Sequence, residues 1–105
     1  MNPEKQIAVW ISASPGDCEY KILEAILTHF KFEYVRKTDH THLWKHPDLV
    51  DHPGFRYGRL QIGSHYRGQQ GKSSRQNIED VVEAVRTVIQ VADARGQEFE
   101  KKENE

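Results

Sequence analysis

The segment Phe32-Glu33-Tyr34-Val35-Arg36-Lys37-Thr38-Asp39-His40-Thr41-His42-Leu43-Trp44-Lys45-His46-Pro47-Asp48 reads as two strands joined by a short connection. Phe32 to Arg36 alternates and is rich in aromatic and β-branched residues. Thr41 to Lys45 alternates again, and His46-Pro47-Asp48 ends it, because proline has no amide proton for a ladder. The same segment packs three of the six histidines into seven positions, with lysines on either side. Imidazole is the side chain that titrates nearest neutral pH, and lysine and arginine attract phosphate. Together they point to handling of a polyanion, RNA first.

Towards the C-terminus, Arg59-Leu60-Gln61-Ile62 reads as a third alternating strand. Gly63 to Ser74 reads as a loop whose glycines and bases suit close approach to phosphate, although it lacks the spacing of a nucleotide-binding P-loop. Ile78, Val81, Val82, Val85, Val88, Ile89 and Ala92 then recur at helical spacing. Ser73-x-x-Gln76 opens that helix as a capping box, and Gly96 sits just past its end. Residues 97–105 form a charged tail expected to be disordered.

Towards the N-terminus, Ser14-Pro15-Gly16-Asp17 reads as a helix start, with Ser14 as N-cap and Pro15 in the first turn. Tyr20, Leu23, Ile26, Leu27 and Phe30 continue it, giving a helix over 15–30. Residues 1–6 are polar and expected to fray. Ile7 to Ile11 is a short strand or an apolar arm. The order helix, three strands, helix defines an α+β fold. It has a three-stranded antiparallel sheet with two helices on one face, which leaves the other face open for binding.

The chain has 105 residues, enough for one domain over 1–96 with one core. One cysteine, Cys18, excludes an internal disulfide and favours a reducing compartment. Ile7 to Ile11 is too short for a signal segment or a membrane span. The expectation is therefore a soluble, cytoplasmic protein with no membrane partner. The net charge of −1 conceals an asymmetry. Residues 31–75 carry nine bases against four acids, whereas 1–30 and 76–105 are both acidic. A basic middle between acidic flanks lets a small domain present one phosphate-facing surface.

Helix, strand, strand, strand, helix is the layout of the double-stranded-RNA-binding-domain-like fold, and the sequence resembles the HicA family of toxins over about residues 12–90. Three pieces carry the resemblance: Ile22 to Leu27 followed by Phe32 to Arg36, the motif Leu43-Trp44-Lys45-His46-Pro47, and Leu60 to His65 with the basic loop and final helix after it. The resemblance implies an endoribonuclease, or mRNA interferase, of a toxin–antitoxin system. It also implies mRNA as substrate, no cofactor, and a partner antitoxin of the HicB type covering the histidine-bearing face. The family's catalytic histidine lies just before the Leu-Trp-Lys-His-Pro motif, where this chain has Thr41. The chain also carries an insertion around Leu49 to Tyr57.

RNA cleavage without metal needs a base for the 2′-hydroxyl proton and an acid for the leaving 5′-oxygen, and imidazoles do both at neutral pH. His42 is the first choice for the base and His40 the second, with His65 as the acid. Lys37, Lys45, His46, Arg67, Lys72 and Arg75 are the candidate RNA contacts. His40, His42 and His46 are enough ligands for zinc, but no cysteine pair or carboxylate accompanies them, and no metal is assigned. Trp44 and Tyr34 are expected to pack beneath a helix, and Cys18 to be an inert residue of the first helix. The second reading is a non-catalytic RNA-binding or protein-interaction module of the same fold. Thr41 favours that reading, and the histidine cluster favours the enzyme.

Overall fold

The computed structural model describes residues 2–94, the Arg56 side chain excepted. The elements are α1 (Pro3–Ser12), β1 (Asp17–Glu19), α2 (Tyr20–His29), β2 (Glu33–Thr38), β3 (Thr41–Lys45), β4 (Arg59–Gly63), β5 (His65–Tyr66), β6 (Gln69–Gln70), β7 (Lys72–Ser74) and α3 (Arg75–Ala94). The expected α+β class holds, and so does the three-stranded antiparallel sheet, ordered β2-β3-β4. Among the described residues there are three α-helices rather than two. No helix of the described residues is long and apolar enough to cross a membrane.

The added helix is α1, where fraying and a strand or arm were expected. Asn2 caps it by accepting from the Lys5 amide at 2.8 Å, and Pro3 occupies its first turn. Ile7 and Trp10, one turn apart, are its buried residues and join the main core. The second helix starts at Tyr20, not at Pro15. Ser14 caps nothing downstream; its hydroxyl donates back to the Trp10 carbonyl at 3.1 Å. Asp17 to Glu19 are extended because they pair antiparallel with Lys72 to Ser74. A long-range ladder has overridden a local start signal, and Cys18 lies in a strand rather than in a helix.

The expected loop from Gly63 to Ser74 is likewise mostly paired. β5 and β6 form a hairpin turned by Arg67 and Gly68, both at positive φ, and β7 completes the ladder with β1. The cap of α3 is one residue later than read, since the Asn77 amide donates to Ser74 Oγ at 3.3 Å. Ser73 is instead fully buried and donates to the Gly63 carbonyl at 2.6 Å. Gly96 and the tail 97–105 lie outside the described residues.

All three helices contribute to one core with Trp44, Leu60 and Ile62, so they cover the same face of the sheet. Side chains alternate along a strand. Thr41, Leu43 and Lys45 therefore point to the face away from the helices, beside Arg36, Arg59 and Gln61 of the flanking strands. The segment after β3 returns the chain through two short 3₁₀ turns. Gly58 closes it at φ +72°, its carbonyl accepting from the His46 amide at 3.0 Å. A Cβ there would lie 2.7 Å from the His46 carbonyl oxygen. Gly58→Ala should therefore lower stability by about 1–3 kcal/mol. Gly16→Ala, with nothing within 4 Å, should stay within about 0.5 kcal/mol of wild type. Urea unfolding of both variants measures the difference.

Candidate functional site

The β1–β7 ladder sets the site, because it ends where α2 begins. The Tyr20 amide donates to the Gly71 carbonyl at 2.8 Å, and the Gly71 amide donates to the Ser64 carbonyl at 2.7 Å. Gly71 makes this double link at φ +84°, a backbone angle other residues rarely adopt. Tyr20 is thereby laid flat on His42, ring centroids 4.0 Å apart and 18° from parallel. Trp44, two residues along β3 on the same face, donates its indole N–H to the Tyr20 hydroxyl at 2.9 Å. Burial pushes the Tyr20 phenol up to about 12, so it stays neutral.

His42 stands at the centre of a hydrogen-bonded chain. Ser64 Oγ donates to the His40 carbonyl at 3.3 Å, so towards His42 it accepts. His42 Nε2–H then donates to Ser64 Oγ at 2.8 Å. His42 Nδ1 is left as the acceptor, and the Tyr34 hydroxyl donates to it at 2.9 Å. This arrangement fits a neutral imidazole. Burial, and then the Lys37 ammonium opposite it in the ladder, hold His42 below the ordinary histidine range.

Lys37, His42 and Ser64 line a cleft of about 440 Å³ with Tyr20, Lys21 and Lys72. Three ammonium groups against the one carboxylate of Glu19, around a neutral imidazole, leave a positive excess that suits a phosphate-bearing ligand. Two of the candidate RNA contacts, Lys37 and Lys72, thus meet the candidate base. Lys72 also lies 4.0 Å from Asp17 across the ladder.

The other expected site residues go elsewhere. His40 sits in the β2–β3 turn and His65 at the start of β5, and their rings stack on each other at 4.5 Å on the rim. His46 is 2% exposed. It accepts from the Asp48 amide at Nδ1, and its Nε2–H donates to the Phe30 carbonyl at 3.0 Å. That corrects its reading as a surface contact: it ties β3 to the end of α2. Lys45 pairs with Glu33 at 3.7 Å. Its strand position places it on the sheet face opposite His42. Arg67 lies over the Tyr66 ring at the hairpin tip, and Arg75 pairs with Glu79 on α3. Thr41 also faces away from His42, so the position that the resemblance assigns to the catalytic histidine lies on the other side of β3 from the His42 imidazole.

Among the described residues no group of three or more His, Cys, Asp or Glu is arranged to hold a metal ion. Trp44 is buried as expected, but Tyr34 is 47% exposed rather than core. Burial, then Asp17, pushes the Cys18 thiol up to about 11, so it stays protonated. Sequence reading missed Tyr20, Lys21 and Ser64 as members of the site. No local pattern marks them; the β1–β7 pairing brings Tyr20 and Lys21 to His42, and the β3–β4 register brings Ser64 there through its bond to the His40 carbonyl. Comparison with protein-family models, curated proteins and solved structures returns no match.

NMR titration should place the His42 transition below about 6.5, and Lys37→Gln should raise it. The unfolded chain takes up this proton first as pH falls. Stability is therefore full above that value and declines as pH drops through and below it. Between about pH 7 and 5 the wild type should lose more stability than His42→Asn, measured by urea unfolding at each pH.

Proposed function

We propose that this chain is a HicA-like RNA-binding domain, built on a double-stranded-RNA-binding-domain-like frame, that cleaves mRNA at the His42 cleft. One observation carries the reading: a neutral imidazole, with its lone pair on Nδ1, stands in a cleft lined by Lys21, Lys37 and Lys72. A general base must be deprotonated at working pH, and the lowered proton affinity of His42 meets that requirement. The ribose 2′-hydroxyl takes the place of the exposed Tyr34 phenol at Nδ1 and gives up its proton there. The 2′-oxygen attacks the adjacent phosphorus, the P–O5′ bond breaks, and a cyclic phosphate is left on the upstream fragment. The Nε2–H stays on Ser64, which fixes the ring. The leaving 5′-oxygen takes its proton from His65, next to Ser64 on the rim. Lysine ammonium groups offset the charge gathering on the phosphate oxygens. An antitoxin of the HicB type would act by covering this cleft.

A second reading is a non-catalytic RNA-binding module. It is favoured by the engagement of both His42 nitrogens and by Thr41 at the family's catalytic position. One assay separates the two: cleavage of a structured RNA in chelator, beside binding of the same RNA at several salt concentrations. The enzyme reading expects His42→Ala to lose about 100-fold or more in rate while retaining binding. Salt-sensitive binding without cleavage by the wild type establishes the module. Absence of both overturns the RNA assignment.

A further inference from the structure

A second cleft lies apart from the His42 site. It is a groove of about 840 Å³ along the outer edge of β4, lined by Phe55, Tyr57, Arg59, Gln61, Asp80 and Glu83 among others. It shares no lining residue with the His42 cleft.

The ladder register says what this edge presents. The Ser64 amide donates to the His40 carbonyl, and the His46 amide to the Gly58 carbonyl. These two bonds bracket the β3–β4 register, in which His42 faces Ile62 and Trp44 faces Leu60. In an antiparallel pair, hydrogen-bonded and non-hydrogen-bonded positions alternate. Leu60 and Ile62 therefore bond to β3, while Arg59, Gln61 and Gly63 turn their N–H and C=O groups outward. Gly63 confirms the direction, since its carbonyl accepts from Ser73 Oγ and Asn77 Nδ2 on the outer side. Arg59 and Gln61 have no outer backbone partner among the described residues. Both line the groove.

An edge strand of this kind is a template for another strand unless something blunts it. The opposite edge is blunted: β2 carries an irregularity between Tyr34 and Arg36 and the charged side chains of Glu33, Arg36 and Lys37. β4 has no bulge and no proline. The groove beyond it holds about 840 Å³, and its lining includes aromatic Phe55 and Tyr57 and the carboxylates of Asp80 and Glu83 on α3.

We infer that β4 is a docking edge for an extended segment of a partner protein carrying a basic residue. The segment pairs antiparallel or parallel with β4 through the outward groups of Arg59 and Gln61. Its lysine or arginine meets Asp80 and Glu83 on α3. The inference does not depend on RNA cleavage and stands or falls separately from it.

The probe is a short acetylated, amidated peptide of alternating valine and lysine, with a valine–glutamate peptide as comparison, followed by amide NMR. In the free protein the Arg59 and Gln61 amides should exchange with solvent fast while those of Leu60 and Ile62 are protected. Adding the lysine peptide should shift the Arg59 and Gln61 signals saturably and slow their exchange. The glutamate peptide should bind at least about tenfold more weakly, and Asp80→Asn with Glu83→Gln should erase that preference. Gln61→Pro removes an outward N–H without touching the β3 ladder. It should abolish binding while an unchanged His42 titration shows the fold intact; if that titration changes, the carboxylate pair of variants decides. Equal binding of the two peptides, shifts centred elsewhere, or no shift up to millimolar peptide overturns the inference. So does concentration-dependent broadening of the same signals without peptide, which would mean that copies of this chain pair with each other.

Discussion

Three residue pairs, Asp17 with Ser74, Cys18 with Ser73 and Glu19 with Lys72, hold this molecule in its working form. The ladder is short, but it fastens the start of α2 to the start of α3. Its geometry fixes everything near His42. Glu19 is its last residue on one side, so Tyr20 enters α2 with its ring over β3. Ser73 is central on the other side, fully buried, and its hydroxyl clamps the end of β4. Breaking this pairing would free Tyr20 from His42 and Ser64 from its support through Gly71. The imidazole would then lose both its stacking partner and the group that holds its Nε2–H.

The alternation of β3 divides the chemistry of the domain between two faces. His42 and Trp44 share the helix side, where one is at the rim of the core and the other within it. Thr41, Leu43 and Lys45 share the opposite side with Arg36, Arg59 and Gln61. A polyanion on the second face would find guanidinium and ammonium groups but no imidazole from β3. A polyanion at the His42 cleft would find ammonium groups and a base together. On β3 it is the His42 side that combines the charge and the proton acceptor that the proposed RNA cleavage would require. The chain of Tyr34, His42, Ser64 and the His40 carbonyl gives that acceptor a defined tautomer. It commits the proton to Nε2 and leaves Nδ1 facing the exposed phenol.

The strands β2, β3 and β4 and the long helix α3 were legible because their apolar periodicity is local and strong. Val81, Val85 and Val88 mark one face of a helix whatever surrounds it, and Leu60 and Ile62 mark one face of a strand. The start of α2 was not legible. Ser14-Pro15-Gly16-Asp17 has the local chemistry of a helix start, yet Asp17 to Glu19 gain more by pairing with a segment over fifty residues away. Helix α1 hid behind its apolar run, Ile7 to Ile11, although Asn2-Pro3 is itself a cap followed by a first-turn proline. In the site, His42 and Lys37 were found because a histidine and a lysine in a basic strand advertise themselves. His46 looked the same in sequence, but its extended backbone continues the alternation of His42 and Trp44 to the helix side, where the Phe30 carbonyl and the Asp48 amide occupy its ring. Tyr20 carries no signal without its link through Gly71, and Ser64 none without the β3–β4 register that bonds it to His40.

Mapping a short single-stranded RNA onto the protein by amide and imidazole NMR asks directly which side of the sheet carries the nucleic acid. If the His42 cleft is the site, the signals of Lys21, Lys37, His42, Ser64 and Lys72 shift together, and the His42 ring loses its bond to Tyr34 as the RNA enters. Shifts confined to Thr41, Leu43 and Gln61, with the His42 ring unmoved, would place the RNA on the opposite face and contradict the role given to His42.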